Sequence, residues 1–233
     1  MPSPYLFFVQ SNPTFVDDDL WTKWYTVEHL PDLVNSKLYD RAALYKEVEV
    51  PLDLVAGVPP YPRKFLAVYQ TAQEEASGTQ AHQELRTTSE MFAEQGGPKE
   101  IERNGDIDAR NYKLIQDYDP DIVGDVPSPH ILTVELQPND EEDYDRFYRE
   151  EHLDLLHKVP GFRRSQRYVL GPKTRLTQGD PPKYLAVHEF NDLSVLAGPE
   201  MTDTNSRPWT QKILKENTAF ILRGWQLIKP EGY

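Results

Sequence analysis

Trp24-Tyr25-Thr26-Val27-Glu28-His29-Leu30-Pro31-Asp32-Leu33 is answered later in the chain by Phe147-Tyr148-Arg149-Glu150-Glu151-His152-Leu153-Asp154-Leu155-Leu156. An aromatic, Tyr, Glu, His, Leu and a final Leu recur at one spacing, with His152 lying 123 residues after His29. Recurrence of such chemically demanding positions marks an internal repeat.

The repeat extends outward. Tyr39-Asp40-Arg41-Ala42-Ala43-Leu44-Tyr45 is matched at the same offset by Phe162-Arg163-Arg164-Ser165-Gln166-Arg167-Tyr168. Lys64-Phe65-Leu66-Ala67-Val68-Tyr69 is matched by Lys183-Tyr184-Leu185-Ala186-Val187-His188, where the offset has fallen to 119, as a shortened loop requires. Each half closes on a similar stretch, Tyr112-Lys113-Leu114-Ile115 and Trp225-Gln226-Leu227-Ile228. The expected organisation is a first repeat over 1–118, a linker over 119–129 rich in Pro and Asp, and a second repeat over 130–233.

The 233 residues include no cysteine, which removes disulfides, thiolate nucleophiles and Cys-based zinc sites and fits a reducing compartment. A formal net charge of −13 argues against nucleic acid as a partner. The run Tyr5–Val9 is too short for a signal-peptide core, and no run reaches membrane-spanning length. A soluble, cytoplasmic protein is expected, with a monomer plausible because the second repeat supplies a partner sheet. Aromatics cluster beside both motifs, which suits either a pocket for a flat apolar molecule or an ordinary core.

Alternation and turn residues predict strands at 5–10, 39–50, 65–70, 111–117, 130–137, 162–170, 183–190 and 220–229. Helices are expected from Asp17 through the first motif to Pro31, over 81–94, from about Asp140 through the second motif, and over 208–218. Pro31 lacks an amide hydrogen, so it is expected to bend or end its helix. The stretch 50–64 carries Pro51, Pro59, Pro60 and Pro62 among apolar residues and is a candidate lid. The fold class that follows is α+β: two ferredoxin-like β-α-β-β-α-β repeats whose sheets face each other as a pseudo-dimeric α/β barrel.

With this order of elements, the Trp-Tyr-x-x-Glu-His-Leu-Pro stretch resembles the signature of the EthD-like group of the dimeric α+β barrel superfamily. The match runs through Trp24, Tyr25, Glu28, His29 and Pro31; the second motif has Asp154 where the signature has proline. Typical members are single units that dimerise, so this chain resembles a tandem form. The resemblance implies a cleft between the first helix and the sheet of each half. It also implies cofactor-free oxygenation, decarboxylation, cyclisation or isomerisation of small aromatic or polyketide-like molecules.

His29 and His152 are the candidate catalytic residues, because imidazole exchanges protons near neutral pH. Tyr25 and Tyr148 could orient them or bind a substrate oxygen, and Trp24, Phe147, Tyr69 and His188 complete the candidate substrate-binding set. Each His could instead pin a helix end. Glu28 and Glu151 are expected to form salt bridges, for instance with Arg41 or Arg164 on the next strand. No zinc-binding His pair, phosphate loop or nucleophile elbow is present, so no metal and no cofactor is assigned. Two rivals stand beside an enzyme of this kind. One is haem binding through a helix histidine, and the other is a non-catalytic carrier of an apolar molecule.

Overall fold

The computed structural model describes residues 2–55 and 61–233; residues 56–60 of the candidate lid lie outside them. Eight antiparallel strands form a closed barrel: β1 (Tyr5–Pro13), β2 (Arg41–Val48), β3 (Phe65–Thr71), β4 (Gly105–Tyr118), β5 (His130–Pro138), β6 (Phe162–Lys173), β7 (Tyr184–Phe190) and β8 (Asn217–Glu231). Their order around the barrel is β1-β3-β2-β8-β5-β7-β6-β4, with β4 returning to β1. The first four strands are thus neighbours in the order β4-β1-β3-β2 and the last four in the order β8-β5-β7-β6. The seams are β2–β8 and β4–β6.

Seven short helices lie on the outside. They are α1 (Asp18–Trp24), α2 (Leu30–Asn35), α3 (Gln80–Gln83), α4 (Glu141–Phe147), α5 (Leu153–Leu156), α6 (Pro199–Ser206) and α7 (Pro208–Lys215). None is long and apolar enough to cross a membrane.

Because side chains alternate along a strand, each strand serves two cores. Leu6, Phe8, Ala43, Tyr45, Leu66, Tyr112, Ile131, Tyr168, Leu185 and Trp225 fill the barrel interior. The intervening residues face outward beneath the helices: Phe7, Ala42, Leu44, Ala67 and Tyr69 in the first half, Leu132, Val134, Ala186 and Leu222 in the second. Charged residues close the barrel ends, among them Arg110 with Asp108 and Glu135, and Arg164 with Glu189 at 2.6 Å.

The alternation corrects one expectation. Arg41 and Arg164 point toward the barrel interior, so they cannot meet a helix on the outside. Arg41 pairs instead with Asp125 at 3.0 Å, while Glu28 pairs with Arg86 at 3.1 Å. A buried Glu151 carboxylate oxygen has no hydrogen-bond partner among the described residues.

The halves exchange loops. Val50, Leu52 and Leu54, which precede residues 56–60, pack into the outer core of the second half. In return Leu176 packs against the outer core of the first, and Thr174 and Thr177 donate hydrogen bonds to the Ala109 carbonyl. Gly224 permits the first of these contacts, since a Cβ there would lie 2.6 Å from Val50 Cγ2.

The stretch 81–94 departs from the expected helix. It holds only α3 and a 3-10 turn at Glu90–Gln95, separated by a segment in which Thr88 bridges to Glu100. Its composition favoured helix, but it lacks an apolar stripe at helical spacing, and within the turn Phe92 alone is fully buried. In the second half two consecutive helices, α6 and α7, occupy the place where one was expected.

Candidate active site

Both motif helices begin at an aspartate cap, Asp17 accepting from the Leu20 amide at 2.8 Å and Asp140 from the Asp143 amide at 3.0 Å. Neither continues as a plain α-helix. Tyr25–His29 and Tyr148–His152 are π-helical turns, closed by the Leu30 amide on the Tyr25 carbonyl and the Leu153 amide on the Tyr148 carbonyl. This turn has a geometric effect. Residues five apart on an α-helix lie about 140° apart around the axis; the wider turn brings them onto one face. His29 therefore stacks on Trp24 at 4.5 Å and His152 on Phe147 at 4.6 Å, both with an interplanar angle of 26°.

Pro31 neither ends nor breaks its helix, which runs on to Asn35. After the π-turn the next amide in the widened ladder would belong to residue 31 and meet the Thr26 carbonyl. Proline has no such amide, and the Lys229 ammonium donates to that carbonyl at 2.9 Å instead.

The first-half site is a packing of rings. Trp24 meets Trp21 at 4.8 Å, Tyr25 at 4.6 Å and Phe92 at 5.3 Å. Tyr69 meets Tyr39 at 5.3 Å and Phe7 at 5.9 Å, and Tyr39 hydrogen-bonds His82 Nδ1 at 3.1 Å. The Tyr25 hydroxyl is engaged by Ser11 at 3.4 Å, whereas the buried Tyr69 hydroxyl has no hydrogen-bond partner among the described residues. His29 is partly exposed; burial of its ring, with a smaller contribution from His82, pulls its pKa down to about 3.

The second-half site contains a cavity. An apolar space of about 50 Å³ is walled by Phe147, Tyr148 and His152 of the motif helix, by His188 of β7 and by Met201, Thr210 and Ile213 of α6 and α7, with Leu54 reaching in from the first half. Among the described residues, His152 Nδ1 is buried without a hydrogen-bond partner, and so is the Thr210 hydroxyl. The His152 and His188 rings are 6.1 Å apart and nearly perpendicular. His188 Nδ1 lies 2.6 Å from Ser165 Oγ. Tyr148 stacks parallel to His188 at 6.2 Å, and its hydroxyl pairs with that of Tyr144.

Beneath these rings lies a buried cation. The Arg167 guanidinium sits 4.2 Å over the Tyr148 ring and 5.3 Å over that of Tyr144, and it bonds Gln116 at 2.7 Å and Asp145 at 2.9 Å. Burial first, then His188 and Arg167, holds the His152 pKa well below the ordinary range; burial and then Arg167 bring His188 to about 3. All three motif-site histidines are thus neutral at pH 7. In that form each ring offers one nitrogen that can accept a proton and one N–H that can donate a hydrogen bond.

The structure gathers Trp24, Tyr25, His29 and Tyr69 in one half and Phe147, Tyr148, His152 and His188 in the other. Ser165, Arg167 and Thr210 were not singled out from sequence. A signal existed for two of them, because at the 123-residue offset Ser165 replaces Ala42 and Arg167 replaces Leu44. Among the described residues, no three His, Asp or Glu side chains come together to hold a metal ion.

No family model matches the sequence, and no curated protein matches it. Solved structures do match. An anthrone oxidase-like protein shares 11% identity at a TM-score of 0.60, over 98% of this chain and 93% of its own. A dye-decolorizing protein from V. cholerae shares 9% at 0.53, over 96% and 93%, and a dye-decolorizing peroxidase from Bacteroides thetaiotaomicron shares 8% at 0.51, over 97% and 94%. The fold, an α+β structure around a closed eight-stranded antiparallel barrel, is therefore shared with these proteins. At these identities the likeness concerns fold alone.

Proposed function

We propose that this chain is a tandem, EthD-like member of the α+β barrel superfamily. In this reading it is an enzyme without a resident cofactor that removes a proton from a small aromatic or polyketide-like substrate, with His152 as the base. The observation that carries the reading is His152 Nδ1, a buried ring nitrogen beside an apolar cavity with no hydrogen-bond partner among the described residues. Leaving such an atom unpaired costs about 1–3 kcal/mol, and a substrate O–H or acidic C–H would offset that cost. The proton passes to the imidazole nitrogen, and the electron pair stays on the substrate as a phenolate or enolate. A lone imidazolium is disfavoured in this environment, but an imidazolium formed against the new anion is compensated by it.

The direction of transfer narrows the chemistry. Oxygenation with dioxygen as co-substrate, cyclisation and isomerisation can begin with loss of a proton; decarboxylation ends by delivering one to carbon, which a neutral His152 cannot do. The cavity is about a third of the roughly 150 Å³ that holds benzene, so α6 and α7 must shift outward to admit a ring. The first-half site, filled by its own rings, serves as structure in this reading, and His29 with it.

Anthrone is a suitable probe because its methylene is acidic and its oxidation consumes dioxygen. Wild-type protein should accelerate oxygen uptake, and His152→Gln should lower the rate about 10²–10⁴-fold, while His29→Gln keeps most of it. Full activity in a folded His152→Gln variant would end the proposal. If that variant binds anthrone as well as wild type and neither protein turns it over, the carrier reading takes its place. A porphyrin far exceeds this cavity, so no step is routed through haem; a Soret band on adding hemin would reverse that judgement.

A further inference from the structure

Ser165 and His188 face each other across the β6–β7 pair, at the register positions that Ala42 and Tyr69 occupy across β2–β3. The contact between them is short, 2.6 Å, and both residues are 1% exposed. A serine hydroxyl carries one hydrogen. Among the described residues His188 Nδ1 is the only partner of Ser165 Oγ, so a proton on Nδ1 would leave the buried hydroxyl hydrogen with no acceptor. The arrangement that satisfies both groups has Ser165 donating to Nδ1, which puts the ring proton of the neutral imidazole on Nε2. Among the described residues that nitrogen has no hydrogen-bond partner, and the ring lines the cavity.

We propose that His188, held in its Nε2–H form by Ser165, is a second catalytic residue that donates a hydrogen bond to the substrate oxygen on which negative charge collects. The proposal rests on the reading of His152 as proton acceptor, because the two rings flank the same apolar space 6.1 Å apart. One receives the proton and the other stabilises the oxyanion left behind, as preorganised donors do in a dry site. A neutral donor is required, since an imidazolium at His188 would surrender its proton to the anion. The groups that face this ring are His152, Tyr148 and Arg167; of these only Arg167 is charged, and a cation beneath the pair keeps both imidazoles neutral. Ser165 acts through His188 and is a positioning residue. The first half has no equivalent, because Ala42 has no hydroxyl and Tyr69 no ring nitrogen.

Long-range proton–nitrogen NMR on protein labelled with ¹⁵N-histidine reads the tautomer without any substrate. Wild-type His188 should carry its proton on Nε2, Ser165→Ala should mix or invert the tautomers, and Ser165→Thr should restore the wild-type pattern. A proton on Nδ1 in the wild type overturns the proposal. In anthrone-dependent oxygen uptake, His188→Leu should lower kcat about 10²–10³-fold. His188→Gln, which keeps an N–H donor, should stay within about tenfold of wild type. Ser165→Ala should lower kcat with KM little changed. Wild-type kcat in a folded His188→Leu variant, with His152→Gln inactive, overturns this inference and leaves the proton acceptor standing. Full activity in His152→Gln removes the reading on which the inference rests.

Discussion

The indole of Trp24 and the imidazole of His29 lie face to face at 4.5 Å although five residues separate them, and Phe147 and His152 repeat the relationship at 4.6 Å. A regular helix would turn each histidine away from its aromatic. The extra residue held in each π-turn aims both imidazoles at the sheet, and it leaves one carbonyl, that of Thr26, beside a proline that cannot bond it.

Lys229 and Pro31 should therefore be energetically coupled. Lys229→Met removes the donor to the Thr26 carbonyl and should cost about 1–2 kcal/mol in urea unfolding. Pro31→Ala alone should change little. In the double variant the restored amide can turn to the vacated carbonyl and recover part of the loss, giving a nonzero coupling in a double-mutant cycle. Strict additivity would refute this account of the turn.

Stability should fall on mild acidification. His29, His152 and His188 have folded pKa values depressed below the unfolded value of about 6.5. For such groups the unfolded chain binds more protons, so the stabilisation is complete above that value and is lost as pH drops toward the folded pKa. Between pH 7 and pH 5 the urea midpoint should decline, with each imidazole contributing up to about 1.4 kcal/mol per pH unit once below 6.5. His188→Gln should flatten the decline; an unchanged slope would contradict burial of a neutral imidazole.

Thr210→Val tests the cavity from its helical wall. The hydroxyl is buried and unpartnered, so its removal should raise stability by about 1 kcal/mol in thermal unfolding. If the hydroxyl orients a substrate, the same change lowers turnover, the trade seen where function keeps a polar group unsatisfied. A loss of stability would mean that Thr210 already has a partner.

Removing the buried guanidinium should shift two histidines and spare the third. Arg167→Met takes a cation from beneath Tyr148, so the His152 and His188 pKa values should rise, while His29, in the other half, should not move. Imidazole titrations followed by NMR decide this; equal shifts at all three sites would point to a global loosening instead.

The strands were legible because they declare themselves by alternation. Strand positions fell close to expectation, apart from β4, which begins at Gly105 rather than near Asn111. The π-turns were not legible, since nothing in Trp24–His29 distinguishes a wide turn from an ordinary one until the rings are placed. Residues 81–94 misled because Ala, Gln and Glu favour helix anywhere, and the choice depends on an apolar stripe that this stretch lacks. At the site the motif residues were found from their recurrence. Ser165 and Arg167 escaped for the opposite reason: they mark where the halves disagree, and a search for likeness passes over difference.

The seams β2–β8 and β4–β6 join two half-barrels that belong to one polypeptide. Had identical chains met at those seams, every substitution would have appeared on both sides at once, and a serine placed opposite one histidine would have recurred opposite the other. A single continuous chain escapes that bookkeeping. One side can stay packed with rings while the other keeps an empty space and a buried cation.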